Sequence, residues 1–244
     1  MRAAIIGDIH ANLAAFTSVL DDINKRGGVD EVWCLGDIVG YGPDPHRCIE
    51  LLRQQNYVCV AGNHDWAATG KVPVTDFNQE AAAACRWTGQ QLTAEDIEFL
   101  DNLPLVVEKD DFTVVHGSPR EPVWEYILSA EIAEENMAYF KSKFCLVGHS
   151  HVPFVFQHNK AGDYLISDFP VDLPIVLGED RLIVNPGGVG QPRDGDPRAS
   201  YAVYDSDTGS IIHCRVPYDI GATQTKMMEY GLPSRLVFRL YHGH

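Results

Sequence analysis

Two stretches near the start of the chain, Ile5-Ile6-Gly7-Asp8-Ile9-His10 and Cys34-Leu35-Gly36-Asp37, each lead from an apolar run through glycine to a polar side chain. An apolar run of this length predicts a strand buried on both faces. Between the two stretches, Leu13, Phe16 and Leu20 recur at helical spacing. A strand, a helix and a second strand in this order predict a parallel βαβ unit.

The same kind of junction recurs three times further along the chain. Apolar runs end before Asn63-His64-Asp65, before His116 and before His149-Ser150-His151. Ligands of α/β sheets gather outside the carboxyl ends of strands. We therefore expect the five junctions to belong to one sheet and to converge on one crevice. Five of the ten histidines lie in these junctions, which favours a functional cluster over isolated loop residues.

The second half of the chain predicts short strands divided by turns. These strands are Phe154–Gln157, Tyr164–Ser167, Leu182–Asn185, Ala199–Asp205 and Ile211–Val216. A βαβ half joined to an antiparallel half predicts an α/β fold, in which two mixed β-sheets pack as a sandwich flanked by helices. The length of residues 1–244 suits one large domain or two small ones, and the sequence shows no repeat and no linker.

The charge balance limits the classes of partner. Among 244 residues, 34 Asp and Glu outnumber 19 Lys and Arg, which gives a net charge of −15. This balance disfavours nucleic acid and anionic membranes as partners. It leaves small anionic substrates open, because a bound metal ion can dominate the charge of a site.

The first apolar run is too short for a signal peptide and no apolar stretch is long enough to span a membrane, so we expect a cytoplasmic protein. Six cysteines without a C-x-x-C pair are expected to be reduced and buried.

The polar residues of the junctions have the chemistry of metal ligands. Oxygen and nitrogen ligands without thiolates suit Mn, Fe, Zn or Ni. Seven ligands are too many for one ion and about right for two ions that share a carboxylate. Each residue taken alone also fits a helix cap, a turn or a satisfied polar group, and only the joint pattern favours metal. The seven candidates are Asp8, His10, Asp37, Asn63, His116, His149 and His151.

At this point the sequence resembles a known family. The ordered motifs Asp8-x-His10, Gly36-Asp37-Ile38-Val39-Gly40, Gly62-Asn63-His64-Asp65, His116 and Gly148-His149-Ser150-His151 are similar to the signature of the calcineurin-like metallophosphoesterases. The resemblance covers essentially the whole chain. It implies the four-layer αββα metallophosphoesterase fold and a single calcineurin-like phosphoesterase domain.

Three loops indicate a resemblance to one branch of this family. Gly40-Tyr41-Gly42-Pro43-Asp44-Pro45, His116-Gly117-Ser118-Pro119-Arg120 and the segment 185–195 resemble the small bacterial and archaeal phosphodiesterase and phosphatase branch. One departure is Ala11, which stands where many relatives have glycine. We expect this difference to have a small effect, provided that φ at Ala11 is negative.

The resemblance implies two divalent transition-metal ions, with manganese favoured for activity. The implied ligands are Asp8, His10 and His151 for one ion, Asn63, His116 and His149 for the other, and Asp37 as the bridge between them.

The resemblance also implies roles outside the metal ligands. His64 would contact the phosphate and protonate the leaving oxygen, and Asp65 would orient its ring. Asn63 would also face the substrate. Arg120 and Arg193 are candidates for substrate phosphate contacts, because a guanidinium offers a bidentate fork, although Arg120 could equally pair with an acidic neighbour.

The function implied is hydrolysis of a phosphate ester, with a metal-bridging hydroxide as nucleophile and His64 as general acid. A phosphodiesterase or phosphatase acting on small or nucleotide-like substrates is the leading hypothesis. Alternatives are a serine/threonine-type protein phosphatase, a dinucleoside polyphosphate hydrolase, and a metal-poor protein-interaction scaffold of the same fold. A nuclease is disfavoured by the acidic composition. Specificity is expected to come from loops near Tyr41, Arg120 and residues 160–195, and the oligomeric state stays open.

Overall fold

The computed structural model describes residues 1–159 and 161–244; Lys160, at the start of the expected specificity loop 160–195, lies outside them. Within the described residues the strands are β1 (Arg2–Ile6), β2 (Glu31–Cys34), β3 (Tyr57–Cys59), β4 (Val106–Lys109), β5 (Phe112–Val115), β6 (Phe144–Leu146), β7 (Phe154–His158), β8 (Tyr164–Asp168), β9 (Pro174–Val176), β10 (Arg181–Asn185), β11 (Ala199–Asp205) and β12 (Ser210–Val216). The helices are α1 (Leu13–Lys25), α2 (Pro45–Arg53), α3 (Asn63–Thr69), α4 (Gln79–Gln91), α5 (Ala94–Asp101), α6 (Ala130–Asn136), α7 (Ile220–Glu229) and α8 (Ser234–His242), with a short 3₁₀ helix at Val74–Asp76.

The first sheet has the strand order β3-β2-β1-β11-β12-β9. Strands β1, β2 and β3 are parallel, and β11, β12 and β9 continue the sheet in antiparallel fashion. Because the parallel strands lie side by side, the loops that follow them leave the sheet at one edge. These loops contain Asp8, His10, Asp37 and Asn63.

The second sheet has the strand order β4-β5-β6-β10-β7-β8. Its three central strands, β5, β6 and β10, are parallel, and the outer strands pair in antiparallel fashion. The loops after β5 and β6 contain His116, His149 and His151.

The two sheets pack face to face through an apolar core. Ile5 and Trp33 of the first sheet contribute to the same buried cluster as Phe112, Leu146 and Val184 of the second. Helices α1 and α2 pack on the outer face of the first sheet, and α6 packs on the outer face of the second. The expected sandwich of two mixed sheets flanked by helices, with four αββα layers, is therefore confirmed.

The distribution of strands between the sheets differs from the expectation. The sheets do not correspond to the two halves of the chain, because the first sheet combines β1–β3 with β9, β11 and β12. The five polar junctions therefore belong to two sheets and not to one. Apolar periodicity identifies a buried strand but not its neighbours, so the pairing was not accessible from the sequence pattern.

Candidate metal centre and active site

Two groups of buried side chains meet where the carboxyl ends of strands from both sheets come together. In each group the potential ligand atoms lie within 4.8 Å of one another. The first triad is Asp8, His10 and His151, and the second triad is Asp37, His116 and His149. Each triad takes residues from loops of both sheets, so six of the seven candidate ligands are brought together.

Asp37 belongs to the second triad, and its carboxylate also faces the first triad. Its Oδ2 atom is 3.6 Å from His10 Nε2 and 3.4 Å from His116 Nε2. Its Oδ1 atom accepts a 2.9 Å hydrogen bond from the backbone N–H of His64. One carboxylate oxygen is thus fixed by the backbone, and the other faces a histidine from each triad.

The four histidines of the triads are oriented by backbone carbonyls. The pairs are His10 Nδ1 with Val39 O at 3.1 Å, His116 Nδ1 with Leu35 O at 2.8 Å, His151 Nδ1 with Gln191 O at 2.6 Å and His149 Nε2 with Trp124 O at 3.2 Å. A carbonyl oxygen only accepts hydrogen bonds, so the nitrogen facing it is protonated and the opposite nitrogen offers a lone pair. This arrangement is typical of histidines that bind metal.

The lone pairs of these histidines face each other across each triad. His10 Nε2 is 3.2 Å from His151 Nε2, and His116 Nε2 is 3.1 Å from His149 Nδ1. Two lone pairs at this distance need a positive charge between them. Burial lowers the pKa of His10, His149 and His151 well below the usual value, so a shared proton is disfavoured. A divalent cation fits both positions.

Two buried carboxylate oxygens lack a partner. Asp8 Oδ2 and Asp37 Oδ2 accept no hydrogen bond within residues 1–159 and 161–244. Burial raises the pKa of Asp8 to about 7 and that of Asp37 well above its usual range. An unpaired buried carboxylate is costly, and coordination to a cation would remove that cost. The donor set and its unsatisfied atoms therefore fit two metal ions.

The backbone of the ligand loops is strained. Of the nine non-glycine residues with positive φ that the described part of the chain contains, five belong to the triads. Such conformations are uncommon outside glycine and concentrate at functional sites. Ala11 also has a φ of +52°, so the condition of a negative φ, on which the expected small effect of this departure depended, is not met. Its backbone N–H donates to the carbonyl of Ile38, which holds this loop against the loop after β2.

Close packing requires glycine at two positions beside the triads. A Cβ atom at Gly62 would collide with the carboxylate of Asp37. Gly40 has a φ of +89°, and a Cβ atom there would press on the ring of His64. These two glycines allow the loops after β2 and β3 to approach each other.

Asn63 and His64 begin helix α3, a seven-residue helix that the sequence pattern did not reveal. Asn63 Oδ1 lies 3.2 Å from His116 Nε2, next to the second triad. His64 is buried, with the rings of Tyr41 and Phe77 at 4.3 and 5.0 Å between centroids. His64 Nδ1 lies 3.2 Å from Cys85 Sγ.

Asp65 contacts backbone and not the His64 ring. Its Oδ1 accepts from the N–H of Val39 at 3.1 Å, and its Oδ2 accepts from the N–H of Gly62 at 3.0 Å. The expectation that Asp65 orients the imidazole is therefore corrected: Asp65 caps helix α3 and joins it to the loop after β2. The group beside the imidazole is the Cys85 thiol.

The two candidate arginines have different surroundings. Arg120 forms ion pairs with Glu125 and with Glu135, so its guanidinium is already engaged away from the triads. Arg193 lies beside the centre, where its Nη2 atom is 3.4 Å from Tyr41 Oη and 3.1 Å from Gln191 Oε1. Its buried Nε has no partner in the part of the chain that the structure describes.

Two residues of the site carried no sequence signal. Cys85 lies in the alanine-rich helix α4, where a buried cysteine predicts packing alone. Tyr126 stacks on His149 with ring centroids 3.7 Å apart, and it comes from a loop without a motif. Tyr41, expected to be an exposed loop residue, is buried and contacts the His10 ring at 4.6 Å.

The described helices include none with the length and apolar character needed to span a membrane.

Comparisons with known proteins agree with this geometry. A family model described as a calcineurin-like phosphoesterase superfamily domain matches residues 1–209. An uncharacterised protein of Methanocaldococcus jannaschii is 39% identical over 246 residues, covering 98% of this chain and 97% of its own length. The crystal structure of a metallophosphoesterase from Sphaerobacter thermophilus is 46% identical, covers both chains completely and superposes with a TM-score of 0.91.

A more distant relative has a named activity. The symmetrical bis(5'-nucleosyl)-tetraphosphatase of Vibrio campbellii is 26% identical over 149 residues, which are 59% of this chain and 54% of that protein. The matched family model, the neighbouring structure and the paired triads lead to the same conclusion. The chain belongs to the calcineurin-like phosphoesterase superfamily and is a hydrolase of phosphate esters.

Proposed function

We propose that residues 1–244 act as one domain that hydrolyses small or nucleotide-like phosphate esters at a binuclear metal centre. The observation that carries this proposal is the position of Asp37 Oδ2, which is unpartnered within the described residues and faces one histidine from each triad. A carboxylate in this position suits a bridge between two ions. The completeness of both triads disfavours a metal-poor scaffold.

The expected ligands follow from the two triads with one addition. Asn63 joins the second triad, because its amide oxygen lies beside His116. The mixed oxygen and nitrogen donors accept Mn, Fe, Zn or Ni, and manganese is the ion we expect to support activity. When bound, the two ions supply positive charge to the phosphate oxygens and lower the pKa of a nucleophilic water.

His64 is proposed to act as the general acid. Because its Nδ1 faces Cys85, Nε2 is the nitrogen left for the substrate. Burial lowers the pKa of His64 well below its usual value, so the ring is neutral without substrate. A bound phosphate anion raises this pKa, since an opposite charge favours the imidazolium. The proton acquired in this way can pass from Nε2 to the leaving oxygen.

Arg193 and Asn63 are proposed to contact the substrate phosphate. Arg193 lies against Tyr41, which in turn contacts His10, and a guanidinium suits two phosphate oxygens at once. Arg120 is not part of this proposal, because Glu125 and Glu135 already occupy its donors.

The test is hydrolysis by protein that has been stripped of metal and reloaded with manganese. The substrates are a bis-aryl phosphate, an aryl phosphate, cyclic nucleotides, dinucleoside polyphosphates and a phosphopeptide. We expect activity on diesters or nucleotide-like esters that is lost with chelation and returns with two ions per chain. Hydrolysis of the phosphopeptide alone would favour a protein phosphatase. A chain that binds two ions and hydrolyses none of these substrates would contradict the proposal.

A further inference from the structure

A second cavity opens beside the metal centre, between the loop of Arg193 and helix α8. Its volume is about 490 Å³, which falls within the range of small-molecule sites. The cavity, here called the arginine pocket, is lined among others by Tyr41, Tyr126, Arg193, Arg235 and Arg239.

The arginine pocket borders both triads. Tyr41 contacts the ring of His10 in the first triad, and Tyr126 stacks on the ring of His149 in the second. The backbone N–H of Arg193 donates to the carbonyl of His151 at 3.3 Å. The arginine pocket is therefore a direct neighbour of the metal centre.

The charge of the pocket is opposite to that of the chain. The protein has a net charge of −15, yet Arg193, Arg235 and Arg239 all line this cavity. Glu80 is the one carboxylate in the described lining, and it lies 3.7 Å from Arg235. Arg193 forms no ion pair with any residue that the structure describes, and Glu80 also attracts the positive charge of Arg239. Three guanidinium groups thus share this cavity with a single acidic side chain in the described lining.

Arg239 lies close enough to Arg193 for the two positive charges to repel each other. Burial, and then the positive charge of Arg193, lower the pKa of Arg239 to about 10. Its Nε donates to the main-chain oxygen of His244, and its Nη atoms form no hydrogen bond within the described residues. An anion in the pocket would relieve the repulsion between the two arginines.

We propose that the arginine pocket binds a second phosphate group of the substrate while the scissile phosphate lies at the metal centre. The inference rests on the proposed function, because it needs a phosphate ester at the triads. The substrate class is therefore a phosphate ester that carries another phosphate on the same molecule. Guanidinium groups pair with phosphate in bidentate fashion, and Tyr41 and Tyr126 supply flat faces for the organic part between the two phosphates.

The experiment compares two substrates that differ only in the second phosphate. Thymidine 5'-(p-nitrophenyl phosphate) and its 3'-phosphorylated derivative both release p-nitrophenol, and kcat/KM is measured for each with manganese-loaded protein. We expect the wild type to prefer the 3'-phosphorylated ester. The double variant R235Q/R239Q should lower the ratio of the two kcat/KM values by about tenfold or more, as loss of charged hydrogen bonds to phosphate predicts.

The matched control is R47Q, which removes an exposed arginine of α2 that is not part of the cavity lining. It should keep the wild-type ratio, and thermal unfolding checks that all variants are folded. An equal ratio in wild type and double variant would overturn the arginine pocket alone. Failure of metal-loaded wild type to hydrolyse either ester would instead count against the proposed function.

Discussion

The loop after β5 contributes to two groups of charged side chains, and the two groups differ in how far their hydrogen bonds are satisfied. Around Arg120, Glu125 accepts hydrogen bonds from Arg120, from Ser118 at 2.6 Å and from Asn136 at 2.8 Å. At the metal centre, Asp8 Oδ2 and Asp37 Oδ2 accept none in the described chain.

This difference in hydrogen bonding separates side chains that stabilise the fold from side chains that are available to bind a ligand. Burial opposes ionisation of Glu125, but its hydrogen bonds outweigh burial and lower its pKa to about 2. At Asp37, burial outweighs the hydrogen bond from the backbone of His64, and the pKa of this carboxylate is raised. Removing a charge from the first group should therefore weaken the fold, whereas removing one from the second should abolish function.

The largest expected effect is that of Asp37→Asn. The variant should lose activity by about 10³-fold or more, because a neutral amide is a poor bridge between two ions. Metal analysis should show fewer than two ions per chain. Two tightly bound ions in this variant would refute the bridging role.

The stability of the same variant sharpens the contrast. The raised pKa of Asp37 means that folding favours its protonated form, so stability is lost as the pH rises through the folded-state pKa. Metal-free Asp37→Asn should therefore unfold at the same temperature as metal-free wild type at pH 8, or at a higher one. A clear decrease would show that the carboxylate is a structural group.

His64→Ala should lower kcat by about 10²–10⁴-fold, the usual contribution of an acid–base group. Because His64 is outside both triads, the variant should still bind two ions. Loss of metal would show that the division between ligands and general acid is wrong.

Cys85→Ala should lower kcat by about tenfold, because the thiol beside Nδ1 positions the imidazole. Cys85→Ser is the matched control, since a hydroxyl can still hydrogen-bond with the ring, and it should recover most of the activity. The pH profile of kcat should shift in the alanine variant and not in the serine variant. Identical profiles in all three proteins would assign Cys85 to packing.

Glu125→Gln tests the hydrogen-bonded group of side chains around Arg120. It should reduce the free energy of unfolding by about 1–3 kcal/mol, the range for hydrogen bonds to a charged group, and still bind two ions. A lowered pKa contributes stability above the unfolded-state value of 4.5, and this contribution is lost as the pH falls towards 2. The difference in melting temperature from wild type should therefore be full at pH 7 and shrink below pH 4. A difference in melting temperature that stays constant from pH 7 to below pH 4 would mean that the charge of Glu125 does not contribute to stability.

Ala11→Gly should have the smallest effect. Relief of the left-handed backbone gains about 1–2 kcal/mol, while the extra freedom of glycine in the unfolded chain and the loss of a buried methyl cost about as much. Thermal unfolding should show a change below about 1 kcal/mol. A loss above 2 kcal/mol would show that the Ala11 methyl packs more tightly than its backbone strain suggests.

The sequence pattern was sufficient for most elements and for the six candidate residues that the structure brings together in the triads. It was insufficient to predict which distant residues contact each other. The helical spacing of Leu13, Phe16 and Leu20 is a local pattern, and helix α1 confirms the helix that it predicts. Helix α3 was missed because its first turn consists of Asn63, His64 and Asp65, which have no apolar periodicity. The contact between His64 and Cys85, like the approach of α8 to Arg193, joins distant parts of the chain, and no local pattern encodes it.

The sharing of each triad between the two sheets has a mechanical consequence. Asp8 leaves the first sheet and His151 leaves the second, so an ion held by both ties together segments more than half the chain apart. Such a link lowers the conformational entropy of the unfolded chain as a covalent cross-link does. The effect is largest when the closed loop is long. Metal binding would thus hold the two sheets together at one end of the sandwich, and removal of the metal would release them. At the opposite end, Met1 donates a hydrogen bond to Ser206, and the described residues there form no candidate metal site. Separation of the layers should therefore begin at this end in the metal-loaded protein.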